Sequence, residues 1–261
     1  MIMKKLLMIL TMTLLFSNAF AQNKSFAVIE FMKVDASQDA EYLETENFWE
    51  KIHKQRIKDG NLKSWELWTL KPGGEDQGYQ YLTISIYDDR VKMFADWGDI
   101  AGLAQKVHPK LSKEEVLQKL ENTDKSRDLA VRYYLEQLDK TDDHYKYPVG
   151  TVATITMMKV NSNNFSAYEK AEIEFFKPMH QDEIENDQRS SWKLYRFVSP
   201  TGSDTYASHI TMNVYKDYAQ VFSVQDDDVT LTEDQQKSFD EGISLREMKY
   251  VHMATLLKKT E

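Results

Sequence analysis

Two histidines recur in the same setting. His53 lies four residues after Trp49 and four before Ile57, and His180 lies four after Phe176 and four before Ile184. On a helix this spacing stacks side chains on one face. Each imidazole therefore shares a stripe with large apolar groups. A ring held there is a general base or a ligand donor in a pocket between helix and sheet. It is equally a structural histidine bonded to the backbone or to a nearby Ser, Thr or Tyr.

A second set of polar groups alternates along two short segments. Tyr81, Thr83, Ser85 and Tyr87 share one strand face, and His209, Thr211, Asn213 and Tyr215 share another. Leu82, Ile84 and Ile86, and Ile210, Met212 and Val214, take the opposite faces. Hydroxyls, an amide and aromatic rings on a covered face form a wall that can orient a small polar aromatic ligand. The same row also serves as a hydrogen-bonded cross-strand ladder with no ligand. Trp65 and Trp192 each open the strand that follows a histidine helix. They bring large apolar area to that turn.

Metal chemistry has little to work with. His180, His209 and His252 all fall in the second half, where the last two could approach across a sheet. No HxH or HExxH spacing is present and the chain has no cysteine, so the metal expectation is none. Asp226-Asp227-Asp228 lacks the glycine and alternating ligands of a calcium loop. With no P-loop, no dinucleotide fingerprint and no GxSxG elbow, no cofactor is expected.

The elements that must hold these residues are repeated. Residues 46–68 read ENFWEKIHKQRIKDGNLKSWELW, and 173–195 read IEFFKPMHQDEIENDQRSSWKLY. At this offset His53 meets His180, Trp65 meets Trp192 and Leu67 meets Leu194. Each copy reads strand, helix, strand, strand, helix, strand. The strands are expected at 26–34, 62–70, 79–87 and 129–138, then at 151–160, 191–198, 206–215 and 247–257. The histidine helices are expected at 39–59 and 165–186. Ser112-x-x-Glu115 and Thr232-x-x-Gln235 fit capping boxes that start the later helices. Between 94 and 111 the first copy carries eight more residues than the second has between 222 and 231. This insertion holds Trp97, Gly98 and Gly102 and is expected near a rim. The polar connector 139–150 is the natural boundary.

A βαββαβ unit is the ferredoxin-like pattern, with helices on one face of an antiparallel sheet. The first strands are apolar on both faces. Phe26, Val28, Met32 and Val34 point one way, and Ala27, Ile29 and Phe31 the other. Helices can cover one face and the other copy's sheet the second. The expected fold is α+β: two tandem ferredoxin-like repeats, 22–140 and 141–261, packed sheet to sheet as an intrachain α/β barrel.

Residues 1–21 read as a signal peptide. Lys4 and Lys5 precede an apolar run from Leu6 to Phe16, and Ala19-Phe20-Ala21 forms the cleavage site. Cleavage after Ala21 gives a secreted or periplasmic product. It holds 31 basic and 42 acidic residues, a net charge of −11. Such a chain repels phosphate backbones, so no nucleic-acid partner is expected. No other apolar run approaches membrane length.

The segments Phe176-Lys177-Pro178-Met179-His180, Ser191-Trp192-Lys193-Leu194-Tyr195 and Thr211-Met212-Asn213-Val214-Tyr215 resemble a W-K-P-x-H, S-W-x-L-Y, T-x-N-V-Y signature. Looser versions occur at Trp49–His53, Ser64–Trp68 and Thr83–Tyr87. By these motifs the chain resembles the dimeric α/β-barrel superfamily of ABM and NIPSNAP type, in a fused two-repeat form found among secreted bacterial proteins. That superfamily implies several unrelated activities, among them cofactor-free monooxygenases, haem-linked enzymes and small-molecule sensors. Fold alone does not choose between them. The leading expectation is a secreted protein that binds a small organic molecule in helix–sheet pockets. His53 and His180 would anchor it, with Thr83, Tyr87, Thr211, Asn213, Tyr215, Trp65 and Trp192 around it. The alternatives are a cofactor-independent monooxygenase-like or haem-linked enzyme, and a non-catalytic structural or interaction module.

Overall fold

The computed structural model describes residues 24–71, 78–223 and 231–261. The expected signal segment, residues 72–77 between the expected strands 62–70 and 79–87, and the 226–228 acidic run lie outside the described residues. The first half contains β1 (Phe26–Lys33), α1 (Asp39–Lys58), β2 (Ser64–Lys71), β3 (Tyr81–Tyr87), α2 (Arg90–Phe94), α3 (Ile100–Val107), α4 (Lys113–Glu121) and β4 (Asp128–Lys140). The second half contains β5 (Val152–Val160), α5 (Phe165–Ala171), α6 (Lys177–Glu185), β6 (Ser191–Ser199), β7 (His209–Tyr215), α7 (Tyr218–Ser223), α8 (Glu233–Ser244) and β8 (Arg246–Thr260). Both capping boxes are formed. Ser112 and Glu115, and Thr232 and Gln235, exchange backbone-to-side-chain hydrogen bonds at the starts of α4 and α8.

The eight strands close into one antiparallel barrel in the order β1-β3-β2-β8-β5-β7-β6-β4. Closure is by edges. β2 pairs with β8 and β4 with β6, which satisfies the outer backbone groups of both four-stranded runs and leaves no open edge. The bore is packed with Ala27, Ile29, Phe31, Leu82, Ile84, Ile155, Met157, Ile210 and Met212, all buried. Outward residues of the same strands meet the helices: Phe26, Val28, Met32 and Val34 under α1, and Met158, Val160 and Trp192 under α5 and α6. The alternation read in the first strands is therefore a division between bore and helix layer.

Two local departures matter for the helix layer. The single helix expected over 165–186 contains a π turn at Glu172–Phe176. Its i→i+5 bonding takes in one extra residue. It also ends just before Pro178, whose ring has no N–H to give and would crowd a carbonyl four residues back. The extra residue shifts the correspondence between the two halves. Tyr42 and Glu46 match Tyr168 and Glu172 at an offset of 126, whereas His53 and Arg56 match His180 and Glu183 at 127. Secondly, the insertion is not at a barrel rim. Ala104 of α3 and Val116 of α4 pack with Phe48 and Ile52 of α1, because those helices also present apolar faces, so the insertion adds an outer layer over α1. The connector also departs from a bare polar boundary. Tyr145 and Tyr147 fold into one mouth of the barrel, and Tyr147 joins the bore cluster.

Candidate functional site

Helix α1 presents Tyr42, Glu46, Trp49, His53 and Arg56 at spacings of 4, 3, 4 and 3, which puts all five on one face. That face is mostly polar, yet Tyr42, Glu46, His53 and Arg56 are all buried. His53 is sealed. Its ring stacks on Trp65 at 4.9 Å, and Trp97 of the insertion meets it edge-on at 5.8 Å. The Arg56 guanidinium lies 3.8 Å from the centre of the Trp97 ring. One of its nitrogens donates to the Tyr87 hydroxyl at 3.4 Å.

This cluster is under-satisfied. Arg56 is 4 % exposed and has no carboxylate partner among the described residues. Its Nη1 lacks a hydrogen-bond partner, as do His53 Nδ1, Glu46 Oε1, Arg127 Nε and the Tyr42 hydroxyl. An orphaned buried polar atom costs about 1–3 kcal/mol. Burial holds the His53 pKa well below the usual imidazole value, with Arg56 and Arg127 adding to the effect, so the ring is neutral at pH 7. Burial pushes Glu46 up to about 7 against the pull of Arg127, whose Nε lies 3.7 Å away.

The second half uses the corresponding positions differently. Glu183 stands where the first half has Arg56. It accepts from the Arg189 Nε at 2.6 Å and lies 3.2 Å from His180 Nδ1. Arg189 continues to the Asn213 side-chain oxygen, and Asn213 donates to Thr154 Oγ1 at 3.0 Å. His180 sits 5.3 Å from Trp192. Burial raises the Glu183 pKa, but His180 and Arg189 outweigh it and hold the carboxyl below its usual value. On the same helix stripe Arg246 pairs closely with buried Glu172, whereas the Arg127–Glu46 ion pair is long, at 3.7 Å. Arg127 donates instead to the Met32 sulfur.

The residues singled out by sequence thus fall into two groups. His53, Trp65 and Tyr87 come together with Arg56 and Trp97. His180, Trp192, Asn213 and Tyr215 come together around Arg189, whose guanidinium lies 5.6 Å from the Tyr215 ring. Thr83 is buried but turns to Glu30, 3.3 Å away, and Thr211 is buried on the same outward face of its own strand. His209 and His252 do not approach each other. His209 faces the helices, bonded to Ser208 and Glu169, whereas His252 lies against Phe31 and Tyr79 of the bore cluster. Their strands, β7 and β8, flank β5 rather than adjoin, and side-chain alternation puts the two rings on opposite faces of the sheet. No cluster of three metal-ligating side chains occurs among the described residues. No helix among them is long and apolar enough to cross a membrane. Arg56, Tyr42, Glu46 and Arg127 escaped the sequence reading. The stripe could have found the first three, because it recurs as Tyr168, Glu172, Phe176, His180 and Glu183 at spacings of 4, 4, 4 and 3, lengthened by one residue at the π turn.

No family model matches the chain, and no curated protein matches it in sequence. Solved structures do match. A candidate monooxygenase from Fusobacterium nucleatum is 13% identical, with 91% of this chain and 94% of that one covered at a TM-score of 0.54. A second candidate monooxygenase, from Lactobacillus acidophilus, is 10% identical over 91% and 95% at 0.53. An anthrone oxidase-like protein is 8% identical over 92% and 94% at 0.54. At these identities the likeness is one of fold: a closed α/β barrel spanning nearly the whole chain.

Proposed function

We propose that this is a secreted protein of two tandem ferredoxin-like repeats, 22–140 and 141–261, that binds a small aromatic molecule carrying an acidic oxygen. The site is the helix–sheet layer of the first half. The observation that carries the reading is Arg56, a buried cation with no anionic partner among the described residues, beside the unpaired His53 Nδ1. A buried charge is costly until something pairs it. A phenolate, enolate or carboxylate oxygen would meet the guanidinium, and Trp65 and Trp97 would take the ring faces. Trp97 closes the cluster from outside, so entry requires the insertion to lift. The second-half network, already paired, is structural on this reading.

A second reading is favoured by the neutral state of His53. An imidazole that is unprotonated and next to a cation can take a phenolic proton while Arg56 holds the oxyanion. That is the first step required for cofactor-independent oxidation of a phenol by dioxygen. The candidate monooxygenases and the anthrone oxidase-like protein of this fold are in keeping with it.

Titration with anthrone and with 1-naphthol, followed by tryptophan fluorescence, tests the binding. Saturable quenching is expected, lost in Arg56→Met and His53→Phe and retained in His180→Phe. Quenching that survives both first-half substitutions would overturn the proposal. Oxygen uptake with the same compounds separates the enzyme reading from simple binding.

A further inference from the structure

A separate cavity lies inside the barrel. It measures about 1200 Å³ and opens at the barrel mouth made by the starts of β2 and β6 and the ends of β4 and β8. The connector, crossing this mouth, supplies one wall. Glu66 and Lys193 both line the cavity. They are the third residues of β2 and β6, which stand four places apart in a ring of eight strands. The two side chains therefore face each other from opposite walls. They occupy the same position in the matched stretches Ser64-Trp65-Glu66-Leu67-Trp68 and Ser191-Trp192-Lys193-Leu194-Tyr195. One site thus carries opposite charges at matched positions.

Neither charge has an ion-pair partner in contact, although Glu66, Tyr147 and Tyr195 all act on Lys193 to favour its ammonium. Glu66 is 6 % exposed, and one of its oxygens accepts from the Trp68 indole at 3.0 Å. The Lys193 ammonium lies 4.6 Å from the centre of the Tyr147 ring. Neither residue forms an ion pair among the described residues. At the rim the acids are already paired: Glu136 with Lys24 at 2.9 Å and Arg90 at 2.5 Å, and Asp139 with Lys177 at 2.8 Å. Tyr147 is fixed over the site by a 2.9 Å bond from its hydroxyl to Ser191 Oγ, and Tyr195 lines the wall near Lys193.

We infer that the barrel mouth binds a small zwitterion of the amino-acid or dipeptide class. Its carboxylate meets Lys193, its ammonium meets Glu66, and its apolar part lies against Tyr147 and Tyr195. A neutral molecule would leave both without a contact ion pair, and a singly charged one would leave one of them so. A ligand with separated opposite charges satisfies both at once. This site is inside the barrel and shares no residue with the Arg56 cluster, so the two readings stand or fall separately.

The test is calorimetric titration of the intact protein with phenylalanyl-glycine, N-acetyl-phenylalanyl-glycine and phenylalanyl-glycine amide. The free dipeptide should bind saturably, and each blocked form at least tenfold more weakly. Glu66→Gln should abolish the preference over the acetylated form, and Lys193→Met the preference over the amide. If Lys193→Met does not fold, the blocked dipeptides on the unaltered protein decide the matter alone. Equal binding of all three compounds overturns the inference. So does the absence of saturable binding by phenylalanyl-glycine and by free phenylalanine. Anthrone titration of Glu66→Gln should be unchanged.

Discussion

The two helix layers start from the same stripe and end in opposite electrostatic states. In the second half Glu183, Arg189 and Asn213 form a connected chain around His180, and Glu172 is paired with Arg246. In the first half, Arg56 replaces the carboxylate, Arg127 is held only loosely to Glu46 at 3.7 Å, and five polar atoms along the stripe are left unpartnered, against the Tyr168 hydroxyl in the second half. Buried polar groups that are fully connected hold a fold rigid, and partly connected ones cost stability. One layer is built for structure. The other tolerates a cost that only an added ligand or water would remove.

The sharpest way to break that contrast is to neutralise the two buried glutamates. Glu172→Gln leaves Arg246 without its anion, and removing one partner of a buried pair costs about 3–5 kcal/mol. Glu46→Gln removes a carboxyl that is already half protonated near pH 7, so its cost there should be within about 1 kcal/mol. Urea melts of both variants at pH 7 compare them. Equal losses would mean the halves are electrostatically alike. The arginines form a second pair. Arg189→Met strands Glu183 and the Asn213 amide and should cost about 2–3 kcal/mol. Arg56→Met exchanges an unpaired buried cation for an apolar chain, and should be neutral or stabilising by about 1 kcal/mol. A large loss in Arg56→Met would show that the guanidinium is paired in solution.

A smaller effect concerns pH. The Glu46 pKa is raised from 4.5 to about 7, so the folded chain takes up a proton between those values. Its contribution to stability is complete below about pH 4.5 and is lost as pH rises through 7. The lowered His53 works in the opposite sense, its contribution being present above 6.5 and lost as pH falls. The two overlap, so the difference between the parent protein and Glu46→Gln is the useful quantity. That difference should shift by about 2 kcal/mol between pH 5 and pH 8, with the parent relatively more stable at pH 5. Parallel pH profiles would place Glu46 in solvent or in a firm ion pair.

How much of this was legible follows the range of the interactions. The alternation of Phe26, Val28 and Met32 against Ala27, Ile29 and Phe31 is a period-two signal carried by adjacent residues, and it divides bore from helix layer as read. The capping boxes at Ser112 and Thr232 span three residues and formed as read. The separation of His209 from His252 depends on which strands become neighbours, so the local pattern could not give it. Arg127 lies 81 residues from Glu46 along the chain, and nothing near either names the other. Tyr147 looked like part of a polar linker, because its burial comes from closing a barrel mouth with distant strands. The π turn left one trace, a change of offset from 126 to 127, which is visible only once the glutamates are known to matter.

The smallest expected energy belongs to Trp97, and it tests the contrast most directly. Its side chain is 44 % exposed, so Trp97→Ala should cost no more than about 1 kcal/mol. The same substitution removes the ring over Arg56 and one wall beside His53. His53 should then react with diethyl pyrocarbonate at least tenfold faster. His180, already partly exposed and tied to Glu183, should not change. The second half has no counterpart of this insertion to remove. If His53 stayed protected without Trp97, the first-half cluster would be closed by the fold itself. Its unpaired atoms would then be a packing cost with no route for a ligand, and the difference between the halves would be one of stability alone.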